Sequence, residues 1–173
     1  MTVYKWLDGR HATYADYTYK LGRWTKRLEG PLVPCAHGYH LCAARHLPKW
    51  ISRDLYVAEY EGEAVDAEDK LVVRRCRVVE HLTGWNERTA RLFAADCAER
   101  VLPIFERERP GDDRPRKAIA AARDYANGDI DAAAWAAARA AAWAAAEAAD
   151  AAEAAAWEWQ AERILHYANG GQA

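Results

Sequence analysis

The chain has 173 residues, 51% of them apolar, at a formal net charge of −2, enough for one sizeable globular domain or two small ones. No apolar run approaches the ~20 residues that cross a bilayer, so a membrane span is excluded from expectation. The start, Met1-Thr-Val-Tyr-Lys-Trp, lacks a basic-then-apolar leader pattern, which points to a cytoplasmic protein with Cys35, Cys42, Cys76 and Cys97 reduced.

Residues 1–82 read as strands and turns. Val3-Tyr4-Lys5-Trp6 alternates and stops at the turn dipeptide Asp8-Gly9. Tyr14, Tyr17, Tyr19 and Trp24 make the next stretch aromatic, and Gly30-Pro31 to Pro34 punctuates it. Gly38 to Cys42 is a short strand, and Ala43 to Ser52 suits a short helix carrying Leu47, Trp50 and Ile51. In the stretch from Leu55 to Glu63, Tyr56, Ala58 and Tyr60 face one way; Val57, Glu59, Glu61 and Glu63 face the other. Leu71 to Leu82 is the strongest strand, with Val72, Cys76 and Val78 on one face. Asp66 to Lys70 is the charged turn of an antiparallel hairpin joining these two stretches.

The period changes to helical near Thr83-Gly84. Thr89 to Glu108 repeats apolar residues at helical spacing, and Pro103 inside it predicts a kink or a split. Asp112 or Asp113 caps the next helix, Pro115 fits its first turn, and Asn127-Gly128 stops it. Asp129 or Asp131 starts a third, alanine-dominated helix, with a break near Ala149–Ala152. Alanine favours the helix and lets backbones approach closely, which leaves Trp135, Trp143 and Trp157 as core wedges. The fold class is therefore α+β: an antiparallel-sheet domain over 1–82, an Ala/Trp-rich helical domain over 85–168, and a flexible tail over 169–173. Residues 118–173 carry eight acidic and three basic side chains, a net −5 that leaves +3 for the rest, as two modules with different surfaces would.

Few side chains point to chemistry. Cys35, His37, His40 and Cys42 form the densest set of metal-ligand types, and two thiolates with two imidazoles would suit zinc. Their spacing lacks a C-x-x-C knuckle, so neither a metal nor any other cofactor is expected. A Cys–His nucleophile pair drawn from the same residues has nothing to mark a low thiol pKa, and no phosphate-binding glycine loop occurs. Arg107, Arg109, Arg114, Arg116 and Lys117 cluster around Pro110-Gly-Asp-Asp. They read either as a capped helix start with local Arg–Asp pairs or as a site for an acidic partner. Arg74, Arg75 and Arg77 form a second basic group, but the overall charge argues against nucleic acid. Trp135 and Trp143 join the partner-binding candidates, since tryptophan favours interface hot spots.

Two resemblances follow. The run Cys97-Ala98-x-Arg100-Val101-Leu102-Pro103-x-Phe105-Glu106 leads to Pro110-Gly-Asp-Asp-Arg114-Pro115-Arg116-x-Ala118-Ile119. Ala122-Arg123 and Ala138-Arg139-Ala140-Ala141 complete the pattern. Residues 85–161 thereby resemble the helical domain of a family of bacterial immunity-type proteins. Histidine positions of that family's later helices are Trp or Ala here, so no shared active site is implied. Cys35-x-x-Gly38-Tyr39-His40-x-Cys42 and the strand that follows resemble a small phage-borne domain without assigned activity, which implies a phage or prophage setting. The resulting expectation is a non-catalytic protein that binds and blocks another protein, as an immunity or anti-defence factor would. Two other classes stay open: a homo-oligomer built through the Trp–Ala helices, and an enzyme acting on a nucleotide or nucleic acid through His37 and His40.

Overall fold

The computed structural model describes residues 2–12, 15–134, 136 and 156–172. The chain groups into two compact units, one formed by Met1–Asn86 with Ala161–Gln172, the other by Glu87–Gln160. Among the described residues no helix is long and apolar enough to cross a membrane.

The first unit holds two three-stranded antiparallel sheets. Strands β1 (Val3–Leu7), β3 (Asp54–Tyr60) and β6 (Cys76–His81) form one, in the order β1-β3-β6. Strands β2 (Tyr39–Leu41), β5 (Leu71–Val73) and β4 (Ala64–Asp66) form the other, in the order β2-β5-β4. The predicted hairpin is present, and Ala67 N–H donates to the Lys70 carbonyl in its turn at 2.9 Å. Its second arm is not one strand, however. It breaks at Arg74-Arg75, opposite Gly62, whose φ of 84° takes the facing arm out of extended conformation. Val72 consequently belongs to the second sheet while Cys76 and Val78 belong to the first, although all three are buried. One hairpin thus contributes two strands to each sheet.

The core of this unit joins β1, β3 and β6 to the second sheet through Val3, Leu7, Tyr19, Leu41, Tyr56, Leu71, Val73, Cys76 and Val78. The helix expected over 43–52 is a short 3-10 turn, Ala44–Lys49, with Pro48 inside it. Leu47 is buried, and Ile51 lies beyond its end, exposed. Trp6 and Trp85 meet edge to face, centroids 5.2 Å apart. Their indole N–H groups donate to the carbonyls of Leu47 and Ser52, both at 3.1 Å, which lets two large amphipathic rings be buried without an orphaned donor.

The sheet edge at β6 is covered. An irregular strap over residues 20–28 runs antiparallel to it: Gly22, Thr25 and Leu28 donate their N–H groups to the carbonyls of Val78, Cys76 and Arg74 at 2.7–3.0 Å. The Thr25 hydroxyl returns the favour by accepting from Cys76 N–H at 3.0 Å. Covering an edge in this way removes a template for unwanted strand pairing.

The second unit contains α1 (Glu87–Glu108) and α2 (Arg114–Asn127). Pro103 does not split α1, which runs unbroken through it with the proline ring exposed. Gly128 stops α2 at φ 84°, its N–H reaching back to the last turn, and Asp129 N–H bonds the Asp124 carbonyl at 2.8 Å. The third helical start is capped by Asp131, whose carboxylate accepts from Ala134 N–H at 2.8 Å. The following alanine run, including Trp135, Trp143, Arg139 and the break expected near Ala149–Ala152, lies outside the described residues. Helix α3 (Ala156–Ala168) closes the chain. It begins in the second unit and, from Ala161, belongs to the first, where Ile164 and Tyr167 are wholly buried.

Candidate partner-binding surfaces

The Pro110-Gly-Asp-Asp segment forms the connection between α1 and α2, and its charges are largely spent within that hairpin. Asp112 accepts from the Arg114 backbone N–H at 3.2 Å and from its guanidinium at 2.8 and 2.5 Å. These bonds hold the Asp112 carboxyl down at about 2. Asp113 stands at the N-cap position, but its side chain makes no capping bond; it pairs instead with Lys117 at 2.7 Å. Arg116 crosses to Glu106 at 2.5 Å. Arg123 crosses from α2 to buried Asp96 at 2.8 Å and to Glu99 at 2.6 Å. Arg91 lies over the Tyr125 ring, and Arg88 donates to Asn127 at 2.8 Å. Partner numbers fall along α1 as they rise along α2, so the helices run antiparallel.

Of the five predicted cations, Arg114, Arg116 and Lys117 therefore act as internal ties. Arg109 leans on the Phe105 ring, 5.9 Å from its centroid, and Arg107 is exposed; among the described residues neither makes an ion pair. Trp157 is half-buried, and Trp159 carries the Arg100 guanidinium 4.9 Å from its centroid. Arg100, Cys97, Val101 and Ile104 of α1 line a cavity of about 140 Å³ with Ala156 and Trp159 of α3. Burial pushes the Cys97 thiol up to about 11, which leaves it a poor nucleophile there.

The Cys35–Cys42 segment is spread out rather than gathered. Cys35 is exposed, with φ of 63°. The His37 ring bonds the Pro31 carbonyl through Nδ1 at 2.8 Å, and Cys42 is buried with its thiol pushed up to about 12 by burial. His40 is half-buried and its pKa is lowered, first by burial and then by the Lys5 and Lys70 charges; Lys5 Nζ donates to the His40 carbonyl at 2.6 Å. Among the described residues no three His, Cys, Asp or Glu side chains converge as a metal site would require.

The second basic group is likewise tied. Glu59 pairs with Arg77 at 2.6 Å, Glu61 with Arg75 at 3.3 Å, and Glu63 with Arg74, while Trp24 takes the Arg75 and Arg77 guanidinium planes at 5.0 and 4.7 Å. Sequence reasoning noticed the arginines here and missed the strap beside them. Lys20, Arg23, Lys26 and Arg27 are all exposed, and among the described residues none has an ion-pair partner within 4 Å. The signal in the sequence is the run Lys20-Leu-Gly-Arg-Trp-Thr-Lys-Arg27, four cations in eight residues without an acid.

An α+β protein emerges whose helical hairpin is fastened by its own motif residues. The Imm-5 like putative immunity protein family model matches residues 80–167, 88 of the 173, and the chain belongs to that family. No curated protein and no solved structure matches it.

Proposed function

We propose that this is a non-catalytic binding protein that blocks another protein, of the immunity or anti-defence kind, acting in the cytoplasm in a phage or prophage setting. Membership of the immunity-type family over residues 80–167 carries the reading. The site chemistry is consistent with it: the thiols at 42, 76 and 97 are pushed up by burial, to about 12, 11 and 11, and so are poor nucleophiles. On the helical unit the partner surface is assigned to Arg107 and Arg109, the two cations of the predicted cluster left outside the hairpin's ion pairs, with Trp135 and Trp143 kept as candidates.

Affinity capture from the host, followed by mass spectrometry, should return one protein at defined stoichiometry. Adding the purified chain to that protein should then inhibit its activity. Capture of no protein, or a captured protein whose activity the chain leaves untouched, counts against the reading.

A further inference from the structure

We propose that the strap over residues 20–28 is a second docking surface, for a protein that presents acidic side chains around an apolar pocket. This rests on the binding role above and adds the chemistry of the partner.

The strap is ordered without using its charged side chains. Two main-chain bonds to the β6 edge, a third to the Arg74 carbonyl just before it, and the Thr25 hydroxyl hold it, and the Lys26 carbonyl accepts from the Tyr39 hydroxyl at 3.0 Å. Lys20, Arg23, Lys26 and Arg27 are therefore displayed on a fixed backbone, so little entropy is lost when they engage a partner. Beside it Arg74, Arg75 and Arg77 are neutralised by Glu63, Glu61 and Glu59, which leaves the strap as a local excess of positive charge. At its turn, where Arg23 N–H bonds the Lys20 carbonyl at 3.0 Å, stands Leu21. Leu21 is 56% exposed, the most exposed large apolar side chain among the described residues. Half-buried Trp24 lies between the two ends of the basic run.

The apolar tip decides between the two classes of anionic partner. A phosphate backbone rewards cations and offers nothing to a protruding leucine. A protein pocket rewards both, through an apolar anchor with charged residues around it. The net charge of −2 for the whole chain also disfavours general affinity for nucleic acid.

The test is fluorescence anisotropy on the full chain with three labelled probes: an acidic amphipathic peptide built from Glu, Leu and Trp, polyglutamate of equal charge, and a short DNA duplex. The amphipathic peptide should bind tightest, and its binding should weaken with added salt. Leu21→Ser should weaken it about ten-fold. The combined Lys20→Glu, Arg23→Glu, Lys26→Glu and Arg27→Glu variant should abolish it, with a melting curve matching the parent because none of these side chains holds the fold. Leu21→Ser, at a turn tip, keeps the test decisive should that variant fail to fold. Tighter binding of DNA, unchanged peptide binding in both variants, or no binding of any probe overturns the proposal. In the host capture experiment, a partner retained fully by the strap variants overturns this proposal and leaves the blocking role standing. No partner for the parent protein overturns the blocking role, while the anisotropy result is still read on its own.

Discussion

Single residues explain why the most recognisable stretch of the sequence is a fastening. Asp96 is 6% exposed, and Arg123 answers it from the other helix. Removing the guanidinium in Arg123→Ala should cost roughly 2–3 kcal/mol, less than the ~3–5 kcal/mol of a fully buried broken pair because Arg123 is itself partly solvated. Chemical denaturation of the parent and variant measures this. Gly84 has a packing role: a Cβ there would collide with the Tyr167 and Ala168 carbonyl oxygens, so Gly84→Ala should lower the melting temperature sharply. The thiols differ in burial: Cys35 is exposed, Cys97 half-buried, Cys42 and Cys76 buried. Those at 42, 76 and 97 are pushed up to about 12, 11 and 11. A disulfide reagent at neutral pH should therefore modify Cys35 rapidly, half-buried Cys97 slowly, and Cys42 and Cys76 only after unfolding, as a time course with peptide mapping would show. The sequence made these cysteines legible as a cluster. It could not show that a positive φ at Cys35 and the pleat at Cys42 send their side chains to different environments.

At the scale of elements, the 3-10 turn Ala44–Lys49 depends on one neutral imidazole. The Ala43 N–H donates to His46 Nδ1 at 3.2 Å, so the ring's own proton sits on Nε2, which lies 3.8 Å from Asp66. Protonation would turn Nδ1 into a second donor and break the bond. Burial, followed by the Arg45 charge, lowers the His46 pKa below its ordinary 6.5. The unfolded chain thus takes up a proton that the native chain resists. Stability is fully present above pH 6.5 and falls as pH drops from there toward the lowered native value. Melting temperatures across this window should decline for the parent and decline less for His46→Gln, whose amide oxygen can accept the same N–H. Strand and helix types were readable from periodicity, and the caps at Asp131 and Gly128 from residue type. The break at Arg74-Arg75 was not: Arg74 interrupts the apolar series Val72, Cys76, Val78, but one polar position also occurs inside an unbroken strand. Gly62 on the facing arm and the strap's bond to the Arg74 carbonyl impose it, and both are long-range effects.

At the scale of the molecule, what the sequence conveyed best was class and family, and what it conveyed least was surface. A guanidinium paired across a hairpin and one left to solvent are the same letter, so Arg116 and Arg107 could not be told apart before their neighbours were placed. The reversal Arg107→Glu with Arg109→Glu should keep the melting curve of the parent and weaken capture of the partner by about ten-fold or more, read by binding titration. Helix α3 was equally opaque: its apolar spacing would serve either unit. That its last turns join the first unit, through Ile164 and Tyr167, has a consequence for how the gene can be cut. The helical unit is an insertion, spliced between Asn86 and Ala161 of a unit whose own chain is discontinuous. Removing residues 161–172 should therefore damage the sheets at the opposite end of the sequence. Replacing residues 87–160 by a short glycine–serine bridge should leave those sheets intact, with the Trp6–Trp85 pair giving a native near-ultraviolet signal.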